Sequence, residues 1–395
     1  MKTILFLSDQ NRYLEHNLYQ QIARNLGEGF RSIYLESEIR GDIYYKSSKE
    51  KDQEEKRAAF DEYRHIPPLE LDQRDLHNPV LKLLRVWKNL YRKLSWRKEF
   101  LETIDALKPD LCILITTLSP NGKMACMYRP GLKKVYVQPS TSRAEILPNR
   151  GLHTKLRDWI YEWVLKLPLI PQKELGFNNI DNVDYLLWSE LWIRHVERNK
   201  QSNYISVGAP HFDTLFRQRQ ELHLNRRFRE CLVILNKEHF IGIEAWYEYA
   251  YFYQEIVAAN PDINFIFKVH PLGDLEAAKN LFPDCEVTRK DFTLTEADCI
   301  LTHWSTLALD AMILKIPTLL INPGGNFDFR SKYFDDYDFI FETPSAVNGQ
   351  LERMKRGDLT PFHEAAEAYL KLSLTYTDGN STERIISHLK HLVAH

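Results

Sequence analysis

Five cysteines in 395 residues, Cys112, Cys126, Cys231, Cys285 and Cys299, form no Cys-x-x-Cys pair and no Cys/His spacing of the kind that holds a metal. That leaves no framework for disulfides or a structural zinc, and without a His-Glu-x-x-His run no metalloprotease signature exists either. Net charge is nearly absent, with 52 basic side chains against 54 acidic ones, so no sequence-wide positive field is available to hold nucleic acid. No apolar stretch reaches the ~18 residues of a membrane-spanning helix. The opening Met1-Lys2 runs straight into a short apolar segment with no cleavable leader pattern, which gives a cytoplasmic expectation, with the inner membrane face as the other option.

What remains is a soluble composition, 44% hydrophobic and 27% charged, in a chain too long for one ordinary core. Short apolar runs alternate with helix-length segments. Thr3–Leu7, Ser32–Leu35, Leu111–Thr116, Lys134–Val137, Tyr185–Trp188 and Tyr204–Val207 read as strands of a first domain, with a helix over Tyr13–Leu26 ended by Gly27 and Gly29. Cys231–Leu235, Ile263–Val269, Glu286–Val287, Asp298–Leu301 and Thr318–Ile321 read as strands of a second, with helices over Trp246–Ala259 and Leu307–Leu314. Such alternation predicts α/β architecture: two Rossmann-like, doubly wound parallel sheets facing a cleft. The expected domains are 1–215, with a helical insertion at about 40–100, and 216–370, followed by a helix over 371–395 able to cross back. The pattern over Pro361–Val393 is helical throughout.

Two insertions stand out. Lys46–Arg64 is highly charged and poor in β-formers, which predicts a solvated helix or a mobile loop. Leu81–Phe100 is a basic amphipathic helix, with Leu83, Leu84, Trp87, Leu90, Tyr91 and Leu94 on one side and Lys82, Arg85, Lys88, Arg92 and Lys93 on the other. Its apolar stripe either packs on the first domain or rests on an anionic membrane surface as a peripheral contact. Leu156–Leu167, carrying Trp159, Ile160, Trp163 and Val164, is a second segment of that type.

Chemistry concentrates in two motifs some 30 residues apart in the second domain. Lys268-Val269-His270-Pro271 closes a buried strand, where open α/β sheets place their ligand crevices. Thr302-His303-Trp304-Ser305-Thr306 opens a helix, where hydroxyls and free N–H groups stabilise anions. Together they suggest a pocket for a nucleotide mono- or diphosphate. Each residue also has a plainer use. His270 can cap a loop carbonyl, Ser305 and Thr306 can be an ordinary helix cap, and Asp310, one turn on and placed to accept from ribose hydroxyls, can face solvent or pair with a lysine. Gly324, in Asn322-Pro323-Gly324-Gly325 at the next strand end, would let a ligand approach the backbone.

The order Val207-Gly208-Ala209-Pro210-His211-Phe212-Asp213, then Phe267–Pro271, then Glu296–Pro317, resembles the two-Rossmann-domain (GT-B) glycosyltransferases that build bacterial surface polysaccharides. It is most similar to the group with a His-Pro motif and a Ser-Ser/Thr motif, which includes sialyltransferases, capsule Kdo transferases and CDP-glycerol glycerophosphotransferases. The match covers residues 200 to 325. The resemblance implies that His270 and Pro271 contact a cytidine nucleotide, that Ser305 and Thr306 bind its phosphate, and that no metal or other cofactor is needed; Lys268, Asp310 and Gly324 join the candidate donor site by their position alone. Gly208, Pro210 and Asp213 would be structural. It implies a nucleotide-sugar donor, CMP-linked, and a glycan or lipid-linked acceptor, with CDP-linked glycerophosphate transfer, sugar-nucleotide epimerisation or a non-catalytic nucleotide-binding scaffold as alternatives. A base for the acceptor hydroxyl is expected in the first domain, where Asp9, His16 and Glu36 are the candidates and Glu145 a rival. The acidic pair before glycine that serves some of these enzymes is not visible, and Gln138-Pro139-Ser140 stands where the family-like Gln-His-Gly falls.

Overall fold

A computed structural model describes residues 1–8, 13–39, 58–69, 78–114, 120–139, 182–194, 202–219, 228–235, 243–270, 273–290, 293–303, 305–325, 334 and 336–394, with residues 156 and 160 singly. The chain forms two compact units, Met1–His211 with Asn380–His395, and Phe212–Gly379.

Unit 1 is built on seven parallel strands: β1 (Lys2–Ser8), β2 (Phe30–Ile39), β3 (Glu62–Leu69), β4 (Leu111–Leu114), β5 (Lys133–Val137), β6 (Val183–Leu187) and β7 (Asn203–Ser206). They lie in the order β3-β2-β1-β4-β5-β6-β7. Growth starts at β1, runs outward to β3, then reverses to the other side through β4, which is the doubly wound pattern. Ile4–Leu7 and Leu111–Leu114 are fully buried, the near-continuous apolar strand that results when helices cover both faces. The covering helices are α1 (Tyr13–Asn25), α2 (Pro79–Leu107), α3 (Pro120–Tyr128) and α4 (Glu190–Arg194).

The edge strand β3 corrects the sequence reading, since Glu62–Arg64, expected in a solvated helix or loop, are extended and paired with Ile33–Leu35. Cross-strand contacts supply what composition lacked. Arg31 and Arg64 both pair with Glu62, and Tyr63 stacks on Tyr34 with ring centroids 6.0 Å apart and 9° between planes. Pro67 and Pro68 are tolerated because β3 is the end strand of the sheet among the described residues. The rest of the charged segment, 46–57, lies outside the described residues.

α2 also departs from one of the two readings of its apolar stripe. The helix is anchored near its carboxyl end by buried Trp96, Phe100 and Ile104; of the stripe, Leu90 and Leu94 are partly buried, whereas Leu83, Leu84, Trp87 and Tyr91 are exposed rather than packed on the domain. Its start is fixed by Asn78, whose side chain accepts from the N–H groups of Val80 (2.9 Å) and Leu81 (3.3 Å), with Pro79 in the first turn. Among the described residues no helix is long and apolar enough to cross a membrane. Of the second amphipathic segment only Leu156 and Ile160 are described, both exposed.

Unit 2 repeats the plan with six parallel strands: β8 (Glu230–Ile234), β9 (Asn264–Lys268), β10 (Glu286–Thr288), β11 (Cys299–Thr302), β12 (Thr318–Ile321) and β13 (Ile340–Phe341), ordered β10-β9-β8-β11-β12-β13. Helices α5 (Asp213–Arg219), α6 (Ile243–Ala259), α7 (Leu275–Leu281), α8 (Leu307–Ile313), α9 (Pro344–Lys355) and α10 (Thr360–Leu374) accompany them. The two-residue β13 is too short for periodicity to reveal.

The helical tail is two helices rather than one. Thr375 takes a positive φ of 56° after α10, and Gly379 turns the chain before α11 (Ser381–Ala394). α11 lies on unit 1, where Ile385, Ile386, Leu389 and Val393 share a core with Ile4, Phe6, Leu18, Tyr19 and Ile22. Polar ties fix its seat. Gln21 Nε2 donates to Thr382 Oγ1 at 2.7 Å, Lys133 Nζ donates to the Leu392 carbonyl at 2.6 Å, and His388 Nε2 lies 2.8 Å from the Asp184 carboxylate.

Candidate functional site

Because every strand of unit 2 is parallel, all six carboxyl ends fall on one edge of its sheet. The winding reverses between β8 and β11, so the chain leaving β8 toward β9 and the chain leaving β11 toward β12 diverge and open a crevice there. His270 follows β9 and Ser305 follows β11, which puts the two motifs at the same edge, flanking the first strand of the unit.

On the β9 side His270 is half-buried. Its carbonyl accepts from Gly273 N at 2.8 Å, and Arg289 donates to the carbonyl of Gly273, so the turn is tied to the strand beside it. Pro271 lies outside the described residues. Lys268 donates its ammonium to the Lys290 carbonyl at 2.8 Å. Lys268, Arg289 and Lys290 thus place three cations where β9 and β10 end, the edge that also carries His270. Only Lys268 of these belongs to the sequence-derived set; the Arg-Lys pair follows a strand of three residues and carries no motif.

On the β11 side Thr302 Oγ1 donates to the Ile234 carbonyl at 3.2 Å, locking β11 to β8 at the switch point. His303 is buried, its ring centroid 4.3 Å from that of Tyr249 and its Nε2 3.1 Å from the Tyr249 hydroxyl. Burial, then the neighbouring Glu248, push the Tyr249 hydroxyl well above its ordinary range, so it stays protonated. Trp304 is outside the described residues. Ser305 Oγ accepts from Leu307 N at 3.3 Å and its carbonyl from Ala308 N at 3.0 Å, an ordinary cap, while the exposed Thr306 makes no side-chain cap bond. Asp310 is partly shielded from solvent, and desolvation of its carboxyl, opposed by a hydrogen bond from its own backbone, pushes its pKa up to about 7.

Gly324 follows β12 with φ 61° and donates its N–H to the Glu342 carbonyl at 3.2 Å. A Cβ on Gly325 would lie 2.9 Å from Glu342 Oε1, so the space beside this glycine holds a carboxylate. Glu342, exposed and marked by no motif in the sequence, therefore adds a second acid to the edge that carries the partly shielded Asp310.

The three candidate bases belong to unit 1. Asp9 and Glu145 lie outside the described residues, and His16 falls in the first turn of α1. Glu36 is buried at the carboxyl end of β2, across from Ser8 and His65, and its carboxylate accepts from the Tyr63 hydroxyl. Gln138 is buried too. Its side-chain oxygen accepts from Trp188 N and its carbonyl from Trp188 Nε1, both at 3.0 Å, a strand-bridging role at the carboxyl ends of β5 and β6. Among the described residues no three metal-ligating side chains gather.

No family model matches this chain, and no curated protein sequence matches it. Solved structures do. A protein of Listeria monocytogenes assigned as a UDP-N-acetylglucosamine 2-epimerase aligns over 98% of this chain and 96% of its own, with 13% identity and a TM-score of 0.58. The UDP-GlcNAc 2-epimerase of Neisseria meningitidis, solved with UDP-GlcNAc bound, aligns over 99% and 100% at 12% identity and a TM-score of 0.55. A glycosyltransferase from Rickettsia africae aligns over 99% and 98% at 12% identity and a TM-score of 0.55. The likeness runs through both units, and with the two strand orders it defines a two-Rossmann-domain GT-B fold.

Proposed function

We propose that this GT-B protein is a sugar-nucleotide enzyme, a glycosyltransferase that moves a sugar from a nucleotide-activated donor to a hydroxyl of a surface glycan or lipid-linked acceptor. The observation that carries this reading is the presence of His270 and the Ser305–Thr306 helix start at one carboxyl edge, on either side of the reversal point of unit 2. A nucleotide phosphate there has the Thr306 hydroxyl and the cations of Lys268, Arg289 and Lys290 as its partners. These groups supply what a departing nucleotide needs, compensation for the charge that builds on its phosphate as the glycosidic bond breaks. Asp310 and Glu342 are the acids on that edge suited to accept from ribose hydroxyls. In unit 1, Asp9, His16 or Glu36 takes the proton from the acceptor hydroxyl.

A CMP-linked donor is favoured by the resemblance of the His-Pro and Ser-Thr motifs. A second reading, UDP-sugar epimerisation without an acceptor, is favoured by the epimerases of the same fold, one of them holding UDP-GlcNAc. Thermal shifts with CMP, CDP, UDP and GDP separate the bases, because a ligand held by the folded state raises the melting temperature by mass action. The strongest shift is expected from CMP or CDP and is expected to vanish in His270→Ala. An unchanged shift in that variant overturns the site. Incubation of UDP-GlcNAc without acceptor, followed by NMR, tests the epimerase reading. Nucleotide binding with no turnover of any donor would instead favour a scaffold.

A further inference from the structure

We infer that the amino-terminal half of α2 is a docking face for an anionic lipid surface, a role independent of the nucleotide site. At the ~100° per residue of an α-helix, Val80, Leu83, Leu84, Trp87 and Tyr91 fall within about 60° of one line along α2. The buried anchors Trp96, Phe100 and Ile104 lie roughly on the opposite side. The helix therefore holds unit 1 with one face near its end and turns a second apolar face outward near its start. That second face is bare. Leu83 and Leu84 are each 59% exposed, Trp87 63% and Tyr91 74%.

A bare apolar face is costly in water unless something covers it, and the charge around this one indicates what does. Lys82, Arg85, Lys88, Arg92 and Lys93 lie on the other side of the helix, Lys88 nearest the apolar face at roughly 90° from its line, and residues 79–98 contain no aspartate or glutamate. A second copy of this chain, with 52 basic and 54 acidic side chains, offers almost no excess of negative charge, whereas a leaflet rich in acidic phospholipid does. Tryptophan and tyrosine also suit the level of lipid headgroups, where a ring can be half immersed. The Asn78 cap and Pro79 keep the segment helical without any cover over its apolar face.

The whole protein is mixed with phosphatidylcholine vesicles, or with the same vesicles carrying about one third phosphatidylglycerol, and floated on a density gradient. Flotation is expected only with the anionic vesicles and is expected to weaken as salt rises. Leu84→Glu with Trp87→Glu and Tyr91→Glu is expected to abolish it. Lys82→Gln with Lys88→Gln, both exposed, should reduce partitioning about tenfold or more, since each interfacial cation near an acidic leaflet contributes roughly a factor of five. Both variants should keep the wild-type melting temperature and nucleotide shift, because the altered side chains are exposed and remote in sequence from the motifs of unit 2. Equal flotation with neutral vesicles, flotation with neither kind, or wild-type behaviour of the glutamate variant would overturn the inference. So would a dimer by light scattering that the glutamate variant dissociates, because a second copy would then be the cover.

Discussion

Asp310→Asn should change how stability depends on pH. In the folded chain desolvation pushes the Asp310 carboxyl from 3.8 to about 7, so between these values the native state holds a proton that the unfolded chain has released. Stability then falls as pH rises, because the unfolded state binds fewer protons than the native one in that window. The contribution is fully present below about pH 4 and is lost as pH climbs through about 7. A shift of about three units corresponds to at most about 4 kcal/mol at roughly 1.4 kcal/mol per unit. Since the residue keeps some contact with water, about half of that, roughly 2 kcal/mol, is the expected size. Asparagine has nearly the same shape and cannot ionise. Urea unfolding of wild type and Asp310→Asn, followed across about pH 4 to pH 8 by the transition of unit 2, should give curves that meet at the acid end and separate by roughly 2 kcal/mol at the alkaline end, with the variant more stable. Parallel curves would refute the reasoning, since they would mean that the carboxyl is ionised in the native state throughout.

Gly379→Ala should cost about 2 kcal/mol and lower the melting temperature, because φ is +73° and the new Cβ would stand 2.9 Å from the Asp213 carbonyl oxygen. Tyr249→Phe removes the hydroxyl that meets His303 Nε2 and should cost about 1 to 2 kcal/mol in urea unfolding. Asn78→Ala takes away the cap of α2 and should cost about 1 kcal/mol locally. Faster hydrogen exchange of the amides of Val80 to Leu83 is the measurement that checks it.

The parallel sheets were legible because their inner strands, such as Leu111–Leu114 and Thr318–Ile321, are buried along their whole length, and a short unbroken apolar run has few other uses. Once the alternation is read, the strand ends follow, and with them the shared edge of His270 and Ser305. β3 was hidden because an edge strand draws on single contacts such as Tyr63 on Tyr34 rather than on general apolarity. The pairing of His303 with Tyr249 was hidden for another reason, a separation of 54 residues, which no local pattern spans. Glu342 beside Gly325 was equally out of reach, because the two meet only when β13 lies against β12. In α2 the amphipathic period was plain, yet period alone cannot say which face turns inward, and here Trp96, Phe100 and Ile104 decide it.

The seat of α11 has a consequence for biosynthesis. The segment that completes the hydrophobic interior of the first sheet leaves the ribosome only after Phe212–Gly379. The amino-terminal lobe therefore waits with Ile4, Leu18 and Ile22 short of their final neighbours until α11 has emerged. Stop codons within α11 would leave Phe212–Gly379 whole and strip the first unit of part of its core.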